Sequence, residues 1–162
     1  MFTYQLTQYA FQGQLLQTLM RDIDDVDLAR QPCPGMNHPA WIVGHLTLVS
    51  ELSLMHHGHR LLTPEAERPL YRPGSEPHPD RSVYPAKSVL VERFVAVHDQ
   101  MLQTVPRIES EFLGQSHGLP MEALKALPTQ GHLLSHVLTT HEALHLGQLS
   151  AWRRAMGFKP LF

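Results

Sequence analysis

The sequence predicts an all-α fold, a four-helix bundle in which a long proline-rich crossover joins the second helix to the third. Apolar residues recur at steps of three and four along four extended stretches, the period of helices that turn one face to a core. Residues 61–85 carry prolines at 64, 69, 73, 77, 79 and 85, which forbid regular helix and remove backbone donors. Extended chain of this kind covers about 3 Å per residue, enough to travel the length of a helix of roughly 30 Å, so the second and third helices can point the same way. With 43% apolar residues in 162, one continuous core and a single domain spanning 1–162 are expected.

The first helix is expected from Thr3 to Asp25, with Phe2, Leu6, Tyr9, Gly13, Leu16, Met20 and Ile23 on its buried seam. Its end is signalled by the acidic run DIDDVD, unfavourable at a helix carboxyl end, and by the loop QPCPGMNHP. Pro39 suits the first position of a second helix, capped by Asn37 or His38, running to about His57 and closed by Gly58. Trp41, His45, Leu48, Leu52 and Met55 form its seam. A third helix, Ala86 to about Val105, carries Leu90, Phe94, Val97 and Met101, and Pro106 should bend or interrupt it. His98 falls one residue off that seam and reads as a flank residue. GQSHGLP reads as a turn and MEALKAL as a short helical piece. The fourth helix runs from Thr129, a capping hydroxyl, to the stop signals Gly157 and Pro160.

A formal charge of −2 and the lack of a basic run along any helix face argue against a nucleic-acid partner. Cys33 is the lone cysteine, so no intramolecular disulfide can form, which suits a reducing compartment. The amino terminus lacks a basic segment followed by an apolar run, and no stretch approaches the length needed to cross a bilayer. A cytoplasmic protein without a membrane partner is expected.

The chain holds twelve histidines, nearly as many as its 13 Lys and Arg together. On the fourth helix Leu134, Leu138, His141, His145, Leu149 and Trp152 share one stripe, so two imidazoles fall inside an apolar face. His141 and His145 project together one turn apart, as two nitrogens must to grip one cation. His132 lies roughly opposite His141, and His136 roughly 140° away from it, so both read as solvent or flank residues. His45 stands on the second helix where a leucine is expected and is the candidate third ligand. His56, His57 and His59 lie too far along that helix to share its ion, His56 being roughly 16 Å from His45 along the axis, and they read as solvated. Three apolar-face imidazoles must satisfy their nitrogens, and one shared cation does so at once.

The segments NHPAWIVGHL around His45 and HEALHLGQLSAWRRAMG around His141 and His145 resemble the two signature segments of the DinB-like (DinB/YfiT) superfamily. The resemblance spans nearly the whole chain. It implies a four-helix bundle in up-down-down-up order, a homodimer, and one divalent ion, zinc or nickel, held by His45, His141 and His145. Members of similar fold include thiol transferases, thiol-dependent isomerases and sulfur-transferring domains with a His-x3-His-x-Glu variant, which Gly147 disfavours here. Three nitrogen ligands leave positions open on the ion. A metal-dependent S-transferase is expected, using a low-molecular-weight thiol as its small-molecule substrate and attacking an electrophile as thiolate. The alternatives are a metal-dependent hydrolase and a non-enzymatic, metal-stabilised binding module. Gln148, about two turns beyond His141 on the same helix, is a candidate accessory that orients a ligand or holds the neighbouring helix. Gly147 is expected to permit close helix approach, and Trp41 and Trp152 to be core or cavity-wall aromatics. No separate general base stands out.

Overall fold

The computed structural model describes residues 1–161, and these are helical throughout their regular structure, with one isolated bridge between Ser116 and Thr129. Phe162, the last residue of the expected domain, lies outside the described residues. Four long helices emerge. They are α1 (Thr3–Met20), α2 (Pro39–Leu54), α4 (Lys87–Thr104) and a final helix built from α6 (Gln130–His136), a π-helical segment (Val137–His141) and α7 (Glu142–Ala155). Two short helices, α3 (Arg68–Tyr71) and α5 (Ser110–Gly114), sit in the connections. Both α4 and α7 lie against α1 and against α2. One apolar cluster gathers around Leu16, Trp41, Phe94 and Trp152, a second around Tyr9, Leu54, Met101 and Leu138. No helix among the described residues is long and apolar enough to cross a membrane.

The first helix stops at Met20 rather than Asp25. Ile23 is still buried beyond its end, and the acidic run serves another helix. The Asp25 carboxylate accepts the backbone N–H of Lys87 at 2.7 Å, at the start of α4, where the free N–H groups favour negative charge. Lys87 Nζ in turn donates to the Ile23 carbonyl at 2.6 Å.

His38 caps α2, its Nδ1 accepting the Trp41 N–H at 3.3 Å, with Pro39 in the first turn. Nearly every residue from Pro39 to Glu51 is buried, so α2 is an interior helix rather than a half-exposed one. The expected seam fails at its far end, where Leu52 and Met55 are 41% and 50% exposed. There the helix outruns the core, and a 3-10 turn, Met55–His57, leads to Gly58 at φ 81°, a backbone angle that favours glycine.

The crossover is not free of helix, as expected, but contains the single turn α3. Pro69 occupies the first turn, where its missing N–H leaves no bond unmade. Glu51 anchors the entry to the crossover, its Oε1 accepting the N–H groups of Leu62 and Thr63 at 2.7 and 2.9 Å. Arg93 of α4 pairs with Glu67 at 2.7 Å. The Tyr71 ring packs against Gly44, where any Cβ would collide with it.

On α4 all four expected seam residues are buried, and so is His98, which is therefore an interior residue and not a flank one. Gly13 on α1 makes the room: a Cβ there would lie 2.7 Å from His98 Nδ1. The His98 ring stacks on Tyr9, with centroids 3.6 Å apart, and its Nε2 meets Glu142 Oε1 at 2.8 Å. Pro106 falls in a 3-10 turn, Val105–Arg107, and MEALKAL contributes a second, Glu122–Leu124.

Candidate metal centre

The interior of α2 supplies His45, the end of the π-helical segment supplies His141, and α7 supplies His145 one turn later. Each offers a ring nitrogen, and the three nitrogens lie within 4.8 Å of one another. The sequence expectation that these imidazoles converge is met by the geometry. His45 Nε2 and His141 Nε2 are 3.1 Å apart. Two ring nitrogens face each other this closely only with a proton or a cation between them. Nitrogens bound about 2.0–2.1 Å from one tetrahedral ion are separated by about 3.3 Å, so the His45–His141 spacing fits a shared cation.

The remaining ring nitrogens fix the tautomers. His45 Nδ1 lies 2.7 Å from the Tyr71 carbonyl oxygen, an acceptor only, so Nδ1 carries the hydrogen and Nε2 keeps its lone pair. His145 Nδ1 lies 2.9 Å from Gln148 Oε1, and Asn37 Nδ2 donates to that same oxygen at 3.0 Å. Donating the outer N–H to a carbonyl is how metal-binding histidines are commonly oriented. Trp41 stacks on His45 with centroids 4.6 Å apart and planes within 9°, and its Nε1 donates to Ser75 Oγ at 2.9 Å. The crossover thus reaches the site through both Tyr71 and Ser75.

Burial pushes His45 down to about 4 and His141 down to about 3, with like-charge repulsion from the neighbouring imidazoles adding to the effect. His145 is lowered too, by burial, against the opposing bond from Gln148. All three are neutral near pH 7, the form that offers a lone pair. No carboxylate among the described residues joins the set. Glu142, next to His141, is turned into the core towards His98.

A cavity of about 630 Å³ opens from the three histidines, walled by α2, α6 and the chain around α5. His136 lines it, contrary to the expectation of a flank residue, with its ring centroid 5.7 Å from that of His141. The π-helical segment explains the error: a wider turn brings residues five apart onto one face, where an α-helix of about 100° per residue would separate them. His56 and His57 also border the cavity, packed against Phe112, whereas His59 bonds Thr104 Oγ1 at 2.9 Å. None of these joins the three-histidine cluster. His132 is exposed, as expected, and bonds its own cap Thr129.

Gly147 does not serve close helix approach. It is exposed, and an added Cβ would meet nothing within 4 Å. Gln148 instead acts locally, on His145 and Asn37. Trp41 is a cavity-wall aromatic, while Trp152 is fully buried and donates to the Arg30 carbonyl at 2.7 Å.

The family model described as the DinB superfamily matches residues 8–149. Among solved structures, the chain is similar to the crystal structure of a conserved protein from Enterococcus faecalis, with a TM-score of 0.73 and 15% identity over 97% of this chain and 98% of that one. At this identity the likeness speaks to fold. None of the curated proteins compared with the chain matches it.

Proposed function

The chain belongs to the DinB superfamily, and from that membership and its three converging imidazoles we propose that it holds one divalent ion, zinc or nickel, and acts as a metal-dependent S-transferase on a small molecule. The observation that carries the reading is the pair of outer hydrogen bonds, His45 Nδ1 to Tyr71 and His145 Nδ1 to Gln148, which aim both Nε2 lone pairs inward at the cavity floor. Membership also supports reading the four long helices as an up-down-down-up bundle.

When bound, an ion of this class acts as a Lewis acid that lowers the pKa of a thiol or water it binds. The protein's own contribution is positional. Tyr71 and Gln148 hold two ligand rings, and Trp41 packs on a third side of the site. Apolar walls shield the reacting molecule from water. Because the cavity meets the histidines directly, a small molecule has a route to them, which favours an enzyme over a metal-stabilised binding module.

Elemental analysis of the purified protein, followed by assay of a panel of thiols against an electrophilic acceptor, tests this. Retained zinc or nickel and metal-dependent thiol consumption, lost in His141→Ala, is the expected result. Ester or amide cleavage without thiol consumption would replace the transferase with a hydrolase, and retained metal with neither activity would leave a binding module.

A further inference from the structure

We infer that the cavity beside the three histidines takes an uncharged, largely hydrophobic small molecule and discriminates against anions and cations of the same size. The inference rests on the cavity being the substrate chamber of the site proposed above. Its walls include Leu52, Ile108, Phe112, Leu124, Leu133 and Leu134, contributed by α2, α6 and the segment between α4 and α6. Among the described residues that border it, the ionisable side chains are all histidines, and no Lys, Arg, Asp or Glu takes part. A carboxylate, sulfonate or ammonium held along these walls, away from the histidine floor, gives up its hydration and finds no acidic or basic side chain of opposite charge to pair with.

Polarity is confined to particular points. The ligand histidines form the floor, His56, His57, His117 and His136 stand along the walls, and Ser53 and Gln130 offer side chains able to bond one or two neutral polar groups. The volume of about 630 Å³ sits within the usual range for sites that enclose a small organic molecule. An aryl or alkyl compound with one polar end that meets the imidazoles fits this distribution, and a small thiol bearing several charges does not. If the S-transferase reading holds, its thiol or its electrophile is of the uncharged apolar kind.

Three ligands that share a naphthalene ring and differ in charge test the inference on the full chain as purified: 2-naphthylmethanol, 2-naphthylmethylammonium and naphthalene-2-sulfonate, titrated by fluorescence. The alcohol is expected to bind about tenfold or more tightly than either ion. An ion that binds as tightly as the alcohol, or an alcohol that fails to bind at millimolar concentration, overturns the inference. Leu52→Arg, a change at an exposed wall residue, is expected to raise sulfonate affinity severalfold and lower that of the ammonium. An unchanged ranking in this variant means the ring binds elsewhere and also overturns it. In His141→Ala the preference for the alcohol is expected to persist, because the walls carry it; a preference lost with that ligand belongs to the metal and defeats the inference. Protein that holds no metal yet keeps the alcohol preference removes the metal reading and leaves this one standing.

Discussion

His98 Nε2 lies 2.8 Å from Glu142 Oε1, with both side chains almost wholly inside the fold. The pair joins α4 to α7, and burial raises the Glu142 carboxyl against the lowering effect of His98. Breaking such a pair from one side leaves a buried polar group without its bond, whereas replacing both can be nearly neutral. His98→Leu is therefore expected to lower stability by about 3–5 kcal/mol, and adding Glu142→Leu to recover much of that loss. Urea unfolding of the single and double variants gives the coupling; equal and additive losses would mean the two side chains act independently.

Gly44 has a comparable role on the other side of the core. Its missing Cβ lets the Tyr71 ring lie on α2, and the Tyr71 carbonyl holds His45. Gly44→Ala is expected to cost about 1–3 kcal/mol through overpacking and, by shifting that carbonyl, to weaken zinc binding by about tenfold or more. Tyr71→Phe keeps the ring and the carbonyl and should leave zinc affinity near wild type. A competition titration with a chelating dye compares the three proteins, and a Gly44→Ala protein with unaltered zinc affinity would separate the crossover from the site.

Gln148 distinguishes orientation from packing. Its Oε1 accepts from His145 Nδ1 and from Asn37 Nδ2, so Gln148→Ala removes the acceptor that sets the His145 tautomer. Zinc affinity is expected to fall about 10–100-fold, with a change in unfolding free energy near 1 kcal/mol, the typical worth of a hydrogen bond. Gln148→Glu retains an acceptor oxygen and should restore most of the affinity. Loss of stability without loss of affinity would assign Gln148 a packing role instead.

The parts of this molecule that follow a single helix's period were legible in the sequence. Leu90, Phe94, Val97 and Met101 all face the core as their spacing implies, and His45, His141 and His145 meet where their seams predict. What escaped depends on a neighbouring element or on a departure from that period. His98 is interior because Gly13, on another helix, leaves space for its ring. His136 reaches the cavity because five residues, Val137 to His141, adopt a π-helix, which a wheel drawn at 3.6 residues per turn cannot represent. Leu52 and Met55 keep the helical period but sit where α2 passes beyond the core, a matter of where the partner helices end. Gly147 shows the converse: a glycine beside the histidines invited a packing role, yet it faces outward.

Acid and metal should act on stability through the same three imidazoles. Burial holds His45 at about 4 and His141 at about 3, below the ordinary value of about 6.5 for an exposed imidazole. The unfolded chain takes up protons once the pH falls below about 6.5, while these folded-state groups resist them until much lower. The unfolded state then binds more protons, so their contribution to stability is fully present above that pH and is lost as the pH falls towards 4 for His45 and towards 3 for His141. Each group adds a slope of at most about 1.4 kcal/mol per pH unit. Zinc binds the neutral imidazoles of the folded state, so a free concentration of 100 times its Kd should add about 2.7 kcal/mol at pH 7, removable by a chelator. Urea unfolding at pH 7, 6 and 5, with zinc or with chelator, measures both effects. In the triple variant His45→Leu/His141→Leu/His145→Leu the acid slope should flatten and the zinc increment vanish, because the groups that titrate are the groups that bind. A triple variant that still gains stability from zinc would place the ion elsewhere in the molecule.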